Sequence, residues 1–105
     1  MDKRLGPPDP ARDMAQRDAF YAALAAGTLT VGQAVAAMRR ISRLTQPEFA
    51  LHRGLSVQSL RQIEADNGNP TTATLNKIAA IFGLEVGFVA KKSPAPPTQK
   101  PGTER

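Results

Sequence analysis

The chain has 105 residues, 41% of them hydrophobic, and no cysteine. That is room for one domain with a small core, and it excludes disulfides, thiolate nucleophiles and Cys-based zinc sites. The net charge of +5 points only weakly to a polyanionic partner. Residues 1–29 sum to zero, residues 30–90 to +2 and residues 91–105 to +3, so more than half of the excess lies in the tail.

The lone histidine, His52, cannot build a multi-His metal site, and no cofactor is expected. Met1 to Pro10 is charged and Pro-rich, unlike a signal peptide. No run approaches the roughly 18–20 apolar residues of a membrane span, so a cytoplasmic protein is expected. A small core leaves little surplus stability, which makes oligomerisation reasonable.

In chain order, residues 1–8 read as a frayed end. Asp9 is a candidate N-cap with Pro10 at the first helical position, and an Ala-rich helix with Met14, Phe20, Tyr21 and Leu24 runs to Ala26 and stops at Gly27. Thr30 with Gln33 forms a capping box for a second helix, in which Val31, Ala34, Val35, Met38 and Ile41 keep helical spacing. Thr45 with Glu48 forms another box for a short helix, Gln46 to Arg53, that tolerates Pro47 in its first turn and ends at Gly54. Ser56 caps a helix from Val57 to about Ala65. The run Asp66-Asn67-Gly68-Asn69-Pro70 is a dense turn signal. Thr71 or Thr72 caps a last helix with Leu75, Ile78, Ala79 and Phe82 on its apolar side, closed by Gly83.

The period then changes. Leu84, Val86 and Phe88 alternate with Glu85, Gly87 and Val89, which is a strand pattern. The tail, residues 92–105, is Pro-rich and poor in apolar groups, and is expected to be disordered. The fold class is all-α: a compact five-helix bundle with a helix-turn-helix, plus one short C-terminal strand. The expected divisions are an N-terminal extension with one helix (1–29), the helix-turn-helix domain (30–83), a dimerisation strand (84–91) and the tail (92–105).

The informative stretch is Arg39 to Pro70, where two short helices meet at a tight turn with glycine at the bend. Ala50 is small enough for the second helix to cross closely, and Gly54 suits positive φ. Leu55, Leu60 and Ile63 face inward and fix the second helix, which leaves Val57, Gln58, Ser59, Arg61 and Gln62 outside. Glutamine and arginine make paired hydrogen bonds to adenine and guanine edges, and a helix so presented fits the major groove.

At Met38-Arg39, Leu44-Thr45-Gln46-Pro47-Glu48-Phe49-Ala50, Gly54-Leu55-Ser56, Leu60, Ile63-Glu64, Pro70, Leu75 and Ile78-Ala79 the chain resembles the phage-repressor-like (Cro/C1, XRE) helix-turn-helix family. The match covers roughly residues 31–83. The resemblance implies that Gln46 and Ser56 hold phosphates and that Val57, Gln58 and Gln62 face base edges with Arg61 beside them. It also implies that Asn67 and Asn69 meet DNA backbone, and that Arg39 pairs with Glu64 as a structural ion pair. There are two departures. Arg43 stands where the family often has glycine, and Ala65-Asp66 replaces the usual residue-plus-glycine after Glu64, where a carboxylate aimed at DNA would repel phosphate.

A single apolar strand in a helical domain needs a hydrogen-bond partner. The simplest is the same strand of a second copy, with Leu84, Val86 and Phe88 as dimerisation residues. A homodimer of this kind sets two recognition helices about one DNA turn apart, roughly 34–36 Å, on a near-palindromic operator in double-stranded DNA. The alternative is that Leu84 to Val89 extends the last helix or covers the core. The run Gly83 to Val89 after a repressor-like domain also looks like the antitoxins of HipA-type kinase toxins (the HipB-like branch) and the HigA-like group, which implies a HipA-like kinase toxin as a partner.

The reading is an autoregulatory transcriptional repressor that blocks a promoter sterically, in a toxin-antitoxin pair. The rivals are an antitoxin whose main task is toxin neutralisation, through the N-terminal helix and the tail, and a stand-alone XRE-type regulator. No enzyme is expected, because no Ser has a matched His and acid and no titratable cluster has catalytic spacing. Gly83 to Gly87 lacks the Lys-Ser/Thr of a phosphate loop. Lys91-Lys92 is by default a solvated stretch.

Overall fold

The computed structural model describes residues 9–90. Its helices are α1 Pro10–Ala26, α2 Val31–Ile41, α3 Gln46–Arg53, α4 Val57–Glu64 and α5 Thr72–Ala79, and a 3-10 turn, Ala80–Phe82, follows α5. The frayed start at 1–8 and the disordered tail at 92–105 lie outside the described residues.

Every helix begins on a side chain that accepts an otherwise orphaned amide. Asp9 takes the N–H of Arg12, Thr30 that of Gln33, Thr45 that of Glu48, Ser56 that of Ser59 and Thr71 that of Thr74. Thr30–Gln33 and Thr45–Glu48 are closed capping boxes, in which the third residue's side chain returns to the cap's own N–H. Thr71 is the cap of α5.

The helix ends are less uniform. Gly54 ends α3 at φ 70° in the left-handed region, where glycine meets no Cβ penalty. The chain turns the same way after α2 and after α4, but on Arg43 (φ 61°) and Asp66 (φ 59°). These are the two places where the family's glycine is missing. The bends are kept and the side chains carry the compensation: Arg43 Nη1 lies 3.7 Å from Asp13 Oδ1, and Asp66 hydrogen-bonds to the start of α2.

The core is built where α2, α3, α4 and α5 converge, on Val35, Met38, Phe49, Ala50, Leu60, Ile63, Ile78, Ala79 and Phe82. Phe49, Leu60 and Ile78 are fully buried, each contributing about 1.5–3 kcal/mol by leaving water. The first helix belongs to this core. Phe20 is buried and meets the Phe82 ring edge-on at 5.8 Å, and Tyr21 donates its hydroxyl to the Phe82 carbonyl at 2.8 Å. Losing α1 would therefore open the end of α5 to water.

Gly32 has a reason that is steric. It sits in the first turn of α2, against the end of α4, and a Cβ there would lie 2.6 Å from the carbonyl oxygens of both Ile63 and Glu64. Only a residue without a side chain lets these two helices approach so closely.

The expected strand is corrected within the single chain: Leu84 to Val89 carries no regular secondary structure. A ladder needs a neighbouring backbone, and here the run finds side chains instead. Leu84 packs on the core, and Val86 N–H donates to Asn76 Oδ1 at 2.7 Å. The segment neither extends the last helix nor reaches the core with Phe88, which is fully exposed.

Candidate nucleic-acid interface

The interface is assembled by the turn between α3 and α4. Ala50 is only 1% exposed, and its carbonyl accepts the Leu55 N–H at 2.8 Å, which closes the turn around Gly54. Leu60 and Ile63 bury the inner side of α4, while Leu55 and Val57 pack at the edge of the core. Gln58, Ser59, Arg61 and Gln62 stand exposed on the outer side, and Val57 is half-buried at their border. A helix held by its inner face, with donors and acceptors on the outer one, is what reading base edges requires.

A chain of polar contacts braces this helix against α2 and α3. Arg39 Nε and Nη2 donate to the two oxygens of Glu64 at 2.7 and 3.0 Å, and Arg39 Nη1 donates to the Leu44 carbonyl at 3.2 Å. The Arg39 and Glu64 side chains are only 13% and 9% exposed. Glu64 Oε1 also accepts from Gln46 Nε2 at 3.1 Å, and Gln46 Oε1 accepts from Arg61 Nε at 3.3 Å. The amide of Gln46 is thus partly committed inside the protein and keeps one of its two N–H donors for a phosphate. Arg61 is oriented by its Nε, which leaves its two terminal nitrogens for a ligand.

Ser56 caps α4 and donates its hydroxyl to Ser59 Oγ at 2.9 Å, a bond at the surface that a phosphate could replace. Asn67 and Asn69 are exposed in the loop after α4 and border, with Ser59 and Gln62, a shallow cleft of about 250 Å³. Asp66 does not face this cleft. Its carboxylate turns back to accept the Thr30 hydroxyl and the Gly32 N–H, both at 2.7 Å. These two bonds, Thr30 first, hold its pKa below the ordinary carboxylate value against the opposing effect of desolvation. The negative charge sits at the positive end of α2, where it is favourable.

Sequence reasoning missed Arg53. Read only as the last residue of a short helix, it is buried, with its guanidinium over the Phe49 ring at 4.3 Å and its Nε donating to the Ile78 carbonyl at 3.4 Å. Burial lowers its pKa from a very high ordinary value. The signal was present: Phe49 and Arg53 are four apart on one helix and therefore share a face. With Arg39 on Glu64, Arg61 is the exposed cation of α4, and Arg40 and Lys77 are exposed elsewhere. His52 is also exposed.

Two short helices meeting at a glycine turn, the second braced inside and polar outside, define a helix-turn-helix domain. The family model for helix-turn-helix matches residues 35–89, and the chain belongs to this family, in its phage-repressor-like, XRE-type form. It is 38% identical over 61 residues to the immunity repressor protein of Bacillus phage phi105, a match covering 58% of this chain and 42% of that protein. The chain thus matches less than half of that relative's length. No solved structure matches it. Among the described residues no helix is long and apolar enough to cross a membrane.

Proposed function

We propose that the chain is a sequence-specific DNA-binding transcriptional repressor in the cytoplasm. It acts as a homodimer on a two-fold operator near its own gene and blocks promoter access sterically. The observation that carries this reading is the outer face of α4. Gln58, Ser59, Arg61 and Gln62 project from a helix whose inner side is locked by Leu60 and Ile63. The family and the similarity to an immunity repressor support the same reading.

In this mechanism Gln58 and Gln62 read base edges and Arg61 offers its terminal nitrogens to a guanine or a phosphate. Ser56, Asn67, Asn69 and the remaining donor of Gln46 hold the DNA backbone. Phosphate contacts set register and supply the salt-dependent part of affinity, and base contacts set the sequence. Gln58→Ala or Gln62→Ala should lower discrimination at particular base pairs by about 1–3 kcal/mol each. The check is a binding series on single-base operator variants. Equal loss on every sequence would remove these residues from base reading.

An antitoxin role beside a HipA-type kinase extends this reading, and its support is the run Gly83 to Val89 alone. Co-purification with the product of an adjacent gene would establish it. Operator binding without such a partner would leave a stand-alone regulator.

A further inference from the structure

The chain's asparagines are Asn67, Asn69 and Asn76, and their neighbours give them different chemistry. An asparagine carboxamide can be attacked by the backbone nitrogen of the next residue, provided that nitrogen has a proton to lose and is not held in a hydrogen bond. Asn69 is followed by Pro70, which has no N–H. Asn76 lies inside α5, where the helical ladder holds the backbone that follows it, and its Oδ1 accepts the Val86 N–H at 2.7 Å. Asn67 is followed by Gly68, which has no side chain to shield its nitrogen. Both residues are exposed and outside any helix. The Asn67 N–H donates to the Gln62 carbonyl at 2.8 Å, but neither the Gly68 N–H nor the Asn67 carboxamide has a hydrogen-bond partner among the described residues.

Resting on the DNA-binding reading above, we propose that Asn67 is a self-modifying site: the Gly68 nitrogen closes on the Asn67 side chain, and the loop after α4 gains a carboxylate where it meets DNA. In this reaction the Gly68 nitrogen gives its proton to water and bonds to Cγ of Asn67. The Cγ–Nδ2 bond breaks and ammonia leaves, which closes a cyclic imide. Water then opens the ring at either carbonyl. One opening leaves an aspartate, the other an isoaspartate whose main chain runs through the side chain. The net change is hydrolysis of an amide by water, with no oxidant or reductant. The surroundings turn that change into an effect on DNA. Asp66 spends its carboxylate on Thr30 and Gly32, so the loop otherwise turns no acid toward the cleft that Asn67 shares with Ser59 and Gln62. A carboxylate placed there repels phosphate. Gln62 Oε1 lies 3.5 Å from where a Cβ of Gly68 would stand, so the longer main chain of an isoaspartate also displaces backbone beside a base-reading side chain.

The test ages the full protein in warm, mildly alkaline buffer and maps it by peptide mass spectrometry with fragmentation. N67Q, whose longer side chain closes a ring more slowly, and N67D, which carries the charge from the start, run alongside, with circular dichroism as the check on folding. The mass gain of NH2 replaced by OH should fall on Asn67 about tenfold faster than on Asn69 or Asn76, with isoaspartate among the products. Binding to duplex DNA from upstream of its own gene, at low salt, should weaken about tenfold in fully aged wild type and in N67D. Aged N67Q should bind as its own fresh sample does, and the gap should narrow as salt rises. Equal ageing of the three asparagines, or none at Asn67, would overturn the site. Modified protein that binds as tightly as fresh protein would overturn its effect on DNA. Fresh protein that cannot tell this DNA from random DNA would overturn the DNA-binding reading itself, whereas the mass change at Asn67 is read with no DNA present.

Discussion

The junction of α2 with α4 and the run after Gly83 are built in opposite ways. At the junction every group is claimed more than once: Gly32 admits two backbones to contact, Asp66 caps α2 from outside, and Glu64 holds both Arg39 and Gln46. After Gly83 the backbone is held by the Leu84 N–H on the Ala79 carbonyl and the Val86 N–H on Asn76 Oδ1, and Phe88 and Val89 stand 107% and 89% exposed. The first region fixes where α4 points, which a base-reading helix needs. The second leaves large apolar side chains in solvent and holds its backbone lightly.

Substitutions can break this contrast, and the largest loss should come at the ion pair. Arg39→Ala leaves Glu64 nearly buried with only a neutral amide beside it and should cost about 3–5 kcal/mol, read as a fall in the urea midpoint. A double replacement by well-packed apolar residues should be far milder. If the single and double variants were equally damaged, the pair would not be the brace.

Gly32→Ala comes next. A Cβ 2.6 Å from two carbonyl oxygens forces α2 and α4 apart. The strain should exceed the gain in helix propensity and cost about 1–3 kcal/mol. A stabilised Gly32→Ala protein would mean the helices separate freely, and the junction would not be tight.

Asp66→Ala should destabilise the protein at neutral pH, since both hydrogen bonds at the start of α2 vanish. The sign of the pH effect follows from the lowered pKa. The carboxylate's contribution is complete above the unfolded-state value of about 3.9 and is lost as pH falls through the lower folded value. The gap between wild type and variant, followed by thermal melting against pH, should therefore close in acid. A gap constant down to the most acid pH would remove the charge from the account.

The smallest effect on stability belongs to Phe88→Ala. A fully exposed ring contributes nothing to the monomer's core, so unfolding at low concentration should shift by less than about 0.5 kcal/mol. Self-association, measured by sedimentation, should weaken markedly, because buried aromatics dominate such interfaces. A destabilised monomer with unchanged association would invert the contrast between the two regions.

Much of this was legible in the sequence because helix ends are chemically marked. Thr30 with Gln33, Thr45 with Glu48 and the glycine at 54 are local signals, and the structure places α2 and α3 within those marks. Gly32 and Asp66 were opaque because their roles depend on a partner more than thirty residues away. Arg53 was opaque as well, since its burial follows from α5 closing over α3. The alternation from Leu84 to Val89 was visible, but alternation describes which side chains share a face and not whether a neighbouring backbone is there to complete a ladder. At the interface, the residue types on the outer side of α4 could be read in advance, while the bond from Gln46 to Arg61 could not.

The most direct test of the account is binding of the full protein to the DNA upstream of its own gene against random DNA, at two salt concentrations. Tight, sequence-selective binding at two chains per duplex is expected, weakening steeply with salt and losing selectivity in Gln58→Ala and Gln62→Ala. Weak binding, equal on both DNAs and unaltered by those substitutions, would contradict it.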